Sequence, residues 1–236
     1  MGGKVITFKM FLTNKRALFA YISCTVVCFF MSYQSGYLTD VLKNEKGVPE
    51  EWNGPILALP ALTYSMSCFL VNFVSGRFPR RLMILFSFLS LACSMVLQGP
   101  SLFLGLPDLI PLFLAGFALN GFSQGFVFIP LIPDAIEAVF IKEGIIEGED
   151  DELDSLISDY GSGLYVTFFS IGFILAPIVG STIKYSIGYR QTTDLMTVVC
   201  LSWALIFFIF NVGFNIYSKE REIEHKIEEA REELHK

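Results

Sequence analysis

Three small or amide residues share one face of an uncharged segment of this sequence. Gly116, Asn120 and Gln124 recur at every fourth position, a spacing that places them on one stripe of a helix. An amide in hydrocarbon is costly unless it is hydrogen-bonded, so this stripe must face protein or water. Two interpretations remain open. The stripe lines a path for a small solute, or its amides bond neighbouring helices together.

Six uncharged stretches dominate the chain, in which 53% of the residues are hydrophobic and only 17% are charged. They are 17–39, 52–76, 82–107, 109–133, 160–183 and 195–218. Each is long enough to cross a bilayer as a helix, which takes about 20 apolar residues. The predicted fold class is therefore all-α, a polytopic protein with six transmembrane helices surrounded by the lipid bilayer.

Basic residues are unevenly divided between the two ends of these helices. Thirteen lysines and arginines lie on the side of the chain termini and four on the opposite side. The positive-inside rule therefore places both termini in the cytoplasm. We expect a basic cytoplasmic arm at 1–16, a six-helix bundle at 17–217 with an acidic, solvated cytoplasmic loop at 134–159, and a charged helical tail at 218–236.

Groups that perform chemistry are missing from the predicted membrane cores. These cores contain no acid, base or histidine, and the two histidines of the chain lie in the tail. No nucleophile and base pair, phosphate-binding glycine loop or cluster of metal ligands occurs in the sequence. We therefore expect a protein that is not an enzyme and that binds no cofactor, metal or nucleic acid.

Small residues and a proline interrupt the fifth stretch at fixed intervals. They are Gly163, Gly172, Ala176, Pro177, Gly180 and Ser181. Small residues let neighbouring membrane helices pack closely, which is one interpretation of this pattern. The spacing also resembles the antiporter motif G-x8-G-x3-G-P-x2-G-G of the major facilitator superfamily, with Ala176 and Ser181 replacing two glycines. That resemblance implies a surface that takes part in conformational change.

The turn NFVSGRFPRR, residues 72–81, carries a second resemblance to the same superfamily. It is similar to the motif G-x-x-x-D-R-x-G-R-R, which follows the second helix of each half, and Arg77, Arg80 and Arg81 match. Gly76 stands where the motif has an acid, so the turn lacks the usual charge partner for a conformational latch. The positive-inside rule alone would also place basic residues here.

The resemblance extends over nearly the whole membrane region. IGYR at 187–190 and GPSLFLGLP at 99–107 resemble segments of superfamily members, the latter an external loop of drug and vesicular-amine type transporters. Superfamily members have two six-helix halves, and this chain resembles the C-terminal one. The resemblance implies alternating-access transport of a small-molecule substrate, together with a second six-helix bundle. That bundle is either a second copy or a missing N-terminal half.

The resemblance also implies that the first, second, fourth and fifth helices face the substrate cavity. The candidate substrate-binding residues are then Asn120, Gln124, Gln34, Tyr33, Tyr64 and Tyr165. Gly121 and Gly125 form a pair that is expected to receive the backbone of a neighbouring helix. Pro130 and Pro133 are expected to end the fourth helix.

Other classes of protein remain as alternatives. The chain is also compatible with a non-transporting fragment, or with a structural membrane subunit that holds partners through its tail and acidic loop. A channel is a third alternative, although no charged ring or broken re-entrant segment supports one.

Overall fold

The computed structural model describes residues 6–75 and 77–213, and these residues form helices. The helices are α1 (Phe8–Thr13), α2 (Lys15–Ser32), α3 (Leu38–Asp40), α4 (Asn53–Val74), α5 (Arg80–Gln98), α6 (Ile110–Glu143), α7 (Asp151–Ile187) and α8 (Tyr189–Phe207). Glu50–Trp52 forms one turn of 3-10 helix, and Val41–Glu45 and Phe208–Val212 each form a short π-helical turn. No strand occurs in the described residues, so the predicted all-α fold class is confirmed.

Six helices of the described chain, α2 and α4 to α8, are long and apolar enough to cross a membrane. They match the six uncharged stretches of the sequence, and the protein is an integral membrane protein. Of the predicted basic arm, residues 8–13 form α1. The first five residues of that arm and the predicted helical tail at 218–236 lie outside the described residues.

The prediction that Pro130 and Pro133 end the fourth helix is wrong. α6 continues through both prolines to Glu143. Its 34 residues extend about 50 Å at 1.5 Å per residue, whereas the hydrocarbon core is about 30 Å thick. Neighbouring helices stabilise a proline-containing membrane helix, and α6 packs against α2, α4 and α5. One end of α6 therefore stands outside the hydrocarbon as a helix.

The predicted acidic loop at 134–159 is mostly helical, so its predicted bounds are wrong. Only residues 144–150 connect α6 to α7. Gly144 ends α6 in a left-handed conformation with a φ of 63°, which favours glycine. The Asp150 carboxylate then accepts hydrogen bonds from two backbone N–H groups in the first turn of α7. These two caps explain why the acidic run begins a helix.

The bundle has a buried centre and two marginal helices. α5 packs along α6, α4 packs along another side of α6, α2 lies between α6 and α7, and α8 packs along α5. Between 56% and 61% of the apolar windows of α2, α5 and α6 are buried, against 17% for α4 and for α7. The margins of the bundle are therefore α4 and α7, which present most of their surface outward.

Small residues of α7 bring its backbone against α2. A Cβ atom added at Gly172 would lie 2.3 Å from the carbonyl oxygen of Thr25, and one at Gly180 would lie 2.0 Å from that of Tyr33. Ala176, between the two glycines, is fully buried. No larger side chain fits at either glycine without movement of the backbone. Close packing of α2 on α7 therefore requires these residue types.

The remaining positions of the α7 motif have different surroundings. An added Cβ at Gly163 would meet no atom within 4 Å. Pro177 and Ser181 lie beside Gly36, where an added Cβ would be 2.4 Å from the Ser181 hydroxyl oxygen and 3.4 Å from the Pro177 carbonyl oxygen. The motif thus packs against α2 and the turn after it. Its part in conformational change stays a prediction.

A second glycine pair brings α6 against α4. A Cβ at Gly121 would lie 2.0 Å from the Pro60 carbonyl oxygen, and one at Gly125 would lie 2.1 Å from the Ser67 hydroxyl oxygen. The prediction that this pair receives a neighbouring backbone is confirmed at Gly121, whereas Gly125 packs mainly against the Ser67 side chain. Glycines therefore set the distance of both marginal helices from the centre of the bundle.

Replacing Gly180 by alanine is expected to destabilise the bundle by about 1–3 kcal/mol, because the new methyl group overlaps the Tyr33 carbonyl oxygen. The measurement is thermal unfolding of the purified protein in detergent. Gly163→Ala is the matched control in the same helix, and we expect it to leave the unfolding temperature unchanged or slightly raised. Equal unfolding temperatures for the two variants would contradict the packing of α2 on α7.

Candidate functional site

A groove of about 460 Å³ lies between the marginal helices. Its walls come from α4, α6 and α7, from the end of α2 and from the turn that follows α2. Five of the six candidate substrate-binding residues line it: Gln34, Tyr64, Asn120, Gln124 and Tyr165. Four elements separated along the chain therefore bring these side chains together in one place.

The two amides of α6 bond to each other at the wall of this groove. The Gln124 Nε2 group donates a hydrogen bond of 2.8 Å to Asn120 Oδ1, and both side chains are 3% exposed. The bond runs within α6 rather than between helices. It does not join α6 to a neighbour, and both residues line the groove. A solute-facing stripe stays a prediction.

Gly116, the third member of that stripe, packs against α5 instead of lining the groove. An added Cβ would lie 2.6 Å from the backbone nitrogen of Gln98, and the Gly116 carbonyl oxygen accepts a hydrogen bond of 3.3 Å from the Gln98 side chain. Close approach of α5 to α6 explains the glycine. The polar stripe is thus divided between packing at Gly116 and the groove at the two amides.

Gln34 has an acceptor oxygen that is not hydrogen-bonded within the described part of the chain. Its Nε2 group donates to the Tyr33 hydroxyl oxygen and to Gln98 Oε1. Its own Oε1 is buried, and it has no hydrogen-bond partner among the described residues. A buried polar atom without a partner costs free energy, and a donor on a bound molecule would remove this cost. Gln34 therefore offers a carbonyl acceptor at the groove wall.

Tyr33 does not line the groove, contrary to the expectation for a substrate-binding residue. It is fully buried behind Gln34, and its ring centroid lies 6.5 Å from that of Tyr37. Successive residues of a helical turn point in different directions, so two neighbours rarely share one wall. Tyr33 holds Gln34 through its hydroxyl group instead.

Aromatic side chains that the sequence interpretation missed complete the groove. Phe128, Phe169 and Phe173 line it, with ring centroids 5.9 Å apart for the first pair and 5.7 Å for the second. The sequence could have revealed them, because Phe128 follows Gln124 by four residues, and Phe169 and Phe173 follow Tyr165 at the same spacing. The lining residues include no Asp, Glu, Lys, Arg or His. The groove is therefore an uncharged, aromatic surface with amide groups.

A partly buried ionic cluster lies at the end of the bundle where α2 begins. Arg16 Nη2 is 2.7 Å from Asp134 Oδ1 and 3.0 Å from Glu137 Oε2. Arg81 Nε is 3.7 Å from the same Asp134 oxygen, and Arg80 Nη1 is 2.8 Å from Glu137. We call these five residues the ionic cluster. It joins α2, α5 and the protruding end of α6.

The ionic cluster corrects the expectation that the basic turn lacks a charge partner. The acid missing at Gly76 is replaced by the two carboxylates of α6. Arg77 is exposed in the turn, whereas Arg81 is 6% exposed. The sequence could not reveal this because the prediction ended α6 before Asp134.

The opposite end of the bundle has its own ion pairs. Lys184 Nζ of α7 is 2.8 Å from Asp40 Oδ2 and 3.5 Å from Glu45 Oε1. The hydrogen bond from Lys184 holds the pKa of the Asp40 carboxyl below its usual range. Lys46 forms a further ion pair with Asp108. These contacts join the segment after α2 to α7 and to the start of α6.

The geometry agrees with a comparison to known proteins. The chain is 23% identical over 190 residues to the MFS-type transporter SLC18B1 of Mus musculus. Its six apolar helices fit one half of a major facilitator unit. The match covers 80% of this chain but 40% of the mouse protein, so the chain spans less than half the length of this relative. No protein-family model matches the chain.

Replacing Asp134 by alanine is expected to destabilise the bundle by about 3–5 kcal/mol, because the buried Arg16 and Arg81 both lose a carboxylate contact. Thermal unfolding in detergent measures this loss. Glu50→Ala is the control, since it breaks an exposed ion pair with Lys43 and should change stability by about 0–1 kcal/mol. A smaller loss for Asp134→Ala than for the control would contradict a structural part for the ionic cluster.

Proposed function

We propose that this six-helix bundle transports a small solute across a membrane by alternating access, with the groove as one wall of the path. The observation that carries the proposal is the convergence of Gln34, Asn120 and Gln124 on one groove between the two marginal helices. A distant relative that is named as an MFS-type transporter supports the same function.

The groove needs an opposite wall, and the marginal helices indicate where it attaches. α4 presents Phe69 at 74% and Phe73 at 80% exposure, and α7 presents Ile174 at 63% and Ile178 at 61%. These faces flank the groove. A second six-helix bundle placed over them would enclose the groove between two halves. That bundle is either a second copy of this chain or a separate N-terminal half.

The chemistry of the wall restricts the solute. An uncharged aromatic surface favours a molecule with an apolar or aromatic body, and such rings also attract cations. The unused acceptor of Gln34 favours a solute with an N–H or O–H donor. Proton coupling usually needs a buried titratable group near the solute. If transport is proton-coupled, such a group comes from the opposite bundle.

Two contact regions supply the proposed conformational change. Pro177 and the small residues of α7 allow this helix to move along α2 while the backbones stay close. The ionic cluster closes the end of the bundle that the distribution of basic residues places in the cytoplasm. Rocking of one bundle against the other would open and close the two ends alternately.

Reconstitution of the purified chain into liposomes tests the proposed function. We expect uptake of at least one solute from a panel of amines, sugars and drug-like molecules, together with a dimer in mild detergent when the second copy is the opposite wall. A correctly inserted chain that stays monomeric and takes up no solute would contradict autonomous transport. That result would favour a half unit or a structural subunit.

Uptake is also expected to depend on the amides of the groove. Gln34→Leu and Gln124→Leu should each lower uptake about tenfold below saturation, because each removes about one hydrogen bond to the solute. Gln191→Leu is the matched control, since Gln191 is exposed on α8 outside the groove. Equal loss of uptake in all three variants, at equal amounts of folded protein, would contradict the assignment of the groove.

A further inference from the structure

A second pocket lies at the other end of α2 from the groove. It has a volume of about 500 Å³ and lies between the turn joining α1 to α2, the protruding end of α6 and the turn Phe208–Val212. We call it the basal pocket. Its lining residues are Thr13, Asn14, Lys15, Arg16, Phe19, Ala138, Ile141, Lys142, Phe210 and Asn211. It shares none of them with the groove and does not depend on the proposed function.

Two lysines give the basal pocket a positive rim. Lys15 and Lys142 are both exposed, and Lys142 Nζ donates a hydrogen bond of 3.1 Å to the Thr13 hydroxyl oxygen. Neither lysine forms an ion pair with another described residue. Arg16 differs, because Asp134 and Glu137 neutralise its charge. The rim therefore carries positive charge that the ionic cluster does not balance.

Asn211 supplies a donor on the inner side of the pocket. The side chain lines the pocket and is 5% exposed, and its Nδ2 group has no hydrogen-bond partner among the described residues. Buried N–H groups are nearly always paired, so an unpaired amide beside a pocket indicates an acceptor brought by a ligand. The two lysine ammonium groups and the Asn211 Nδ2 group are therefore all donors available to that ligand.

Part of the pocket wall is apolar. Phe19 and Phe210 stack with ring centroids 5.4 Å apart, and Ile141 lines the pocket near them. Phe210 is 51% exposed on a helix that reaches into the membrane. A ligand here therefore meets donors at the membrane boundary and apolar side chains toward the hydrocarbon. This combination matches a lipid, with an anionic headgroup and acyl chains.

We propose that the basal pocket binds the phosphate of an anionic phospholipid. Lys15 and Lys142 contact the phosphate oxygens at the rim, and Asn211 Nδ2 donates to an oxygen of the same headgroup. The acyl chains extend along Phe210 toward the hydrocarbon. The cytoplasmic leaflet of the membrane is rich in anionic lipids. The abundance of basic residues at this end of the bundle predicts that the basal pocket lies at that leaflet.

Native mass spectrometry of the full chain in mild detergent tests the lipid site. Phosphatidylserine and phosphatidylcholine with identical acyl chains serve as probes, and we expect tighter binding of phosphatidylserine. Lys15→Ala combined with Lys142→Ala should weaken phosphatidylserine binding about thirtyfold, because each lysine near a membrane surface contributes about fivefold. Both side chains are exposed, so the variant should fold normally.

Two further variants separate the site from general charge effects. Asn211→Leu should weaken phosphatidylserine binding about tenfold, because it removes the buried donor while keeping the approximate side-chain size. Lys43→Ala removes an exposed lysine beyond the opposite end of α2, and it should leave lipid binding unchanged. Equal binding of the two lipids, or equal binding by the double lysine variant and the Lys43→Ala control, would overturn the proposal.

Other occupants of the basal pocket have separate outcomes. If millimolar inorganic phosphate displaces phosphatidylserine completely, the site recognises free phosphate and the lipid assignment is wrong.

The glutamate-rich segment 219–236 follows the pocket in the chain. If deletion of that segment raises phosphatidylserine affinity tenfold or more, the segment occupies the pocket and the proposal fails. Unchanged affinity after the deletion supports the lipid.

Discussion

The cost of an unsatisfied polar group in hydrocarbon governs this structure. Backbone groups satisfy each other within helices, so the amide side chains are the polar groups that still require protein or water around them. Asn120, Gln124 and Gln34 are each 3% exposed, and all three line the groove. Gln98 is fully buried and holds Gln34 from behind. The positions of these amides therefore indicate the part of the bundle surface where contact with lipid is unfavourable.

The same constraint separates the two kinds of surface on the marginal helices. The outward faces of α4 and α7 carry exposed phenylalanine, isoleucine and leucine side chains, which are stable against lipid or another apolar helix. The aromatic groove with its amide groups lies between α4 and α7, and lipid alone would leave the Gln34 Oε1 atom without a hydrogen-bond donor. A second bundle would cover it, which agrees with a chain that spans 40% of its mouse relative.

The sequence predicted the helices well because the free energy of membrane insertion is a local property of each segment. It also predicted the contact of Gly121 and Gly125 with α4, since only small residues allow such an approach. The extension of α6 beyond Pro133 escaped prediction because that segment is stabilised by tertiary contacts of Asp134 with arginines from two other helices. The burial of Tyr33 behind Gln34 was not predicted either, because the direction of a side chain in a turn depends on the residues packed around it.

We propose that the groove gives water and solute access to Asn120, and thiol labelling tests this access most directly. A cysteine at position 120, in a chain whose five native cysteines are replaced, would be treated in native membranes with a membrane-impermeant maleimide. A thiol reacts as its thiolate, which requires water. We predict labelling at position 120 and none at a cysteine replacing Phe86, which is 54% exposed on the membrane-spanning helix α5 and is expected to face lipid. An unreactive thiol at position 120 would contradict a solute path along the groove.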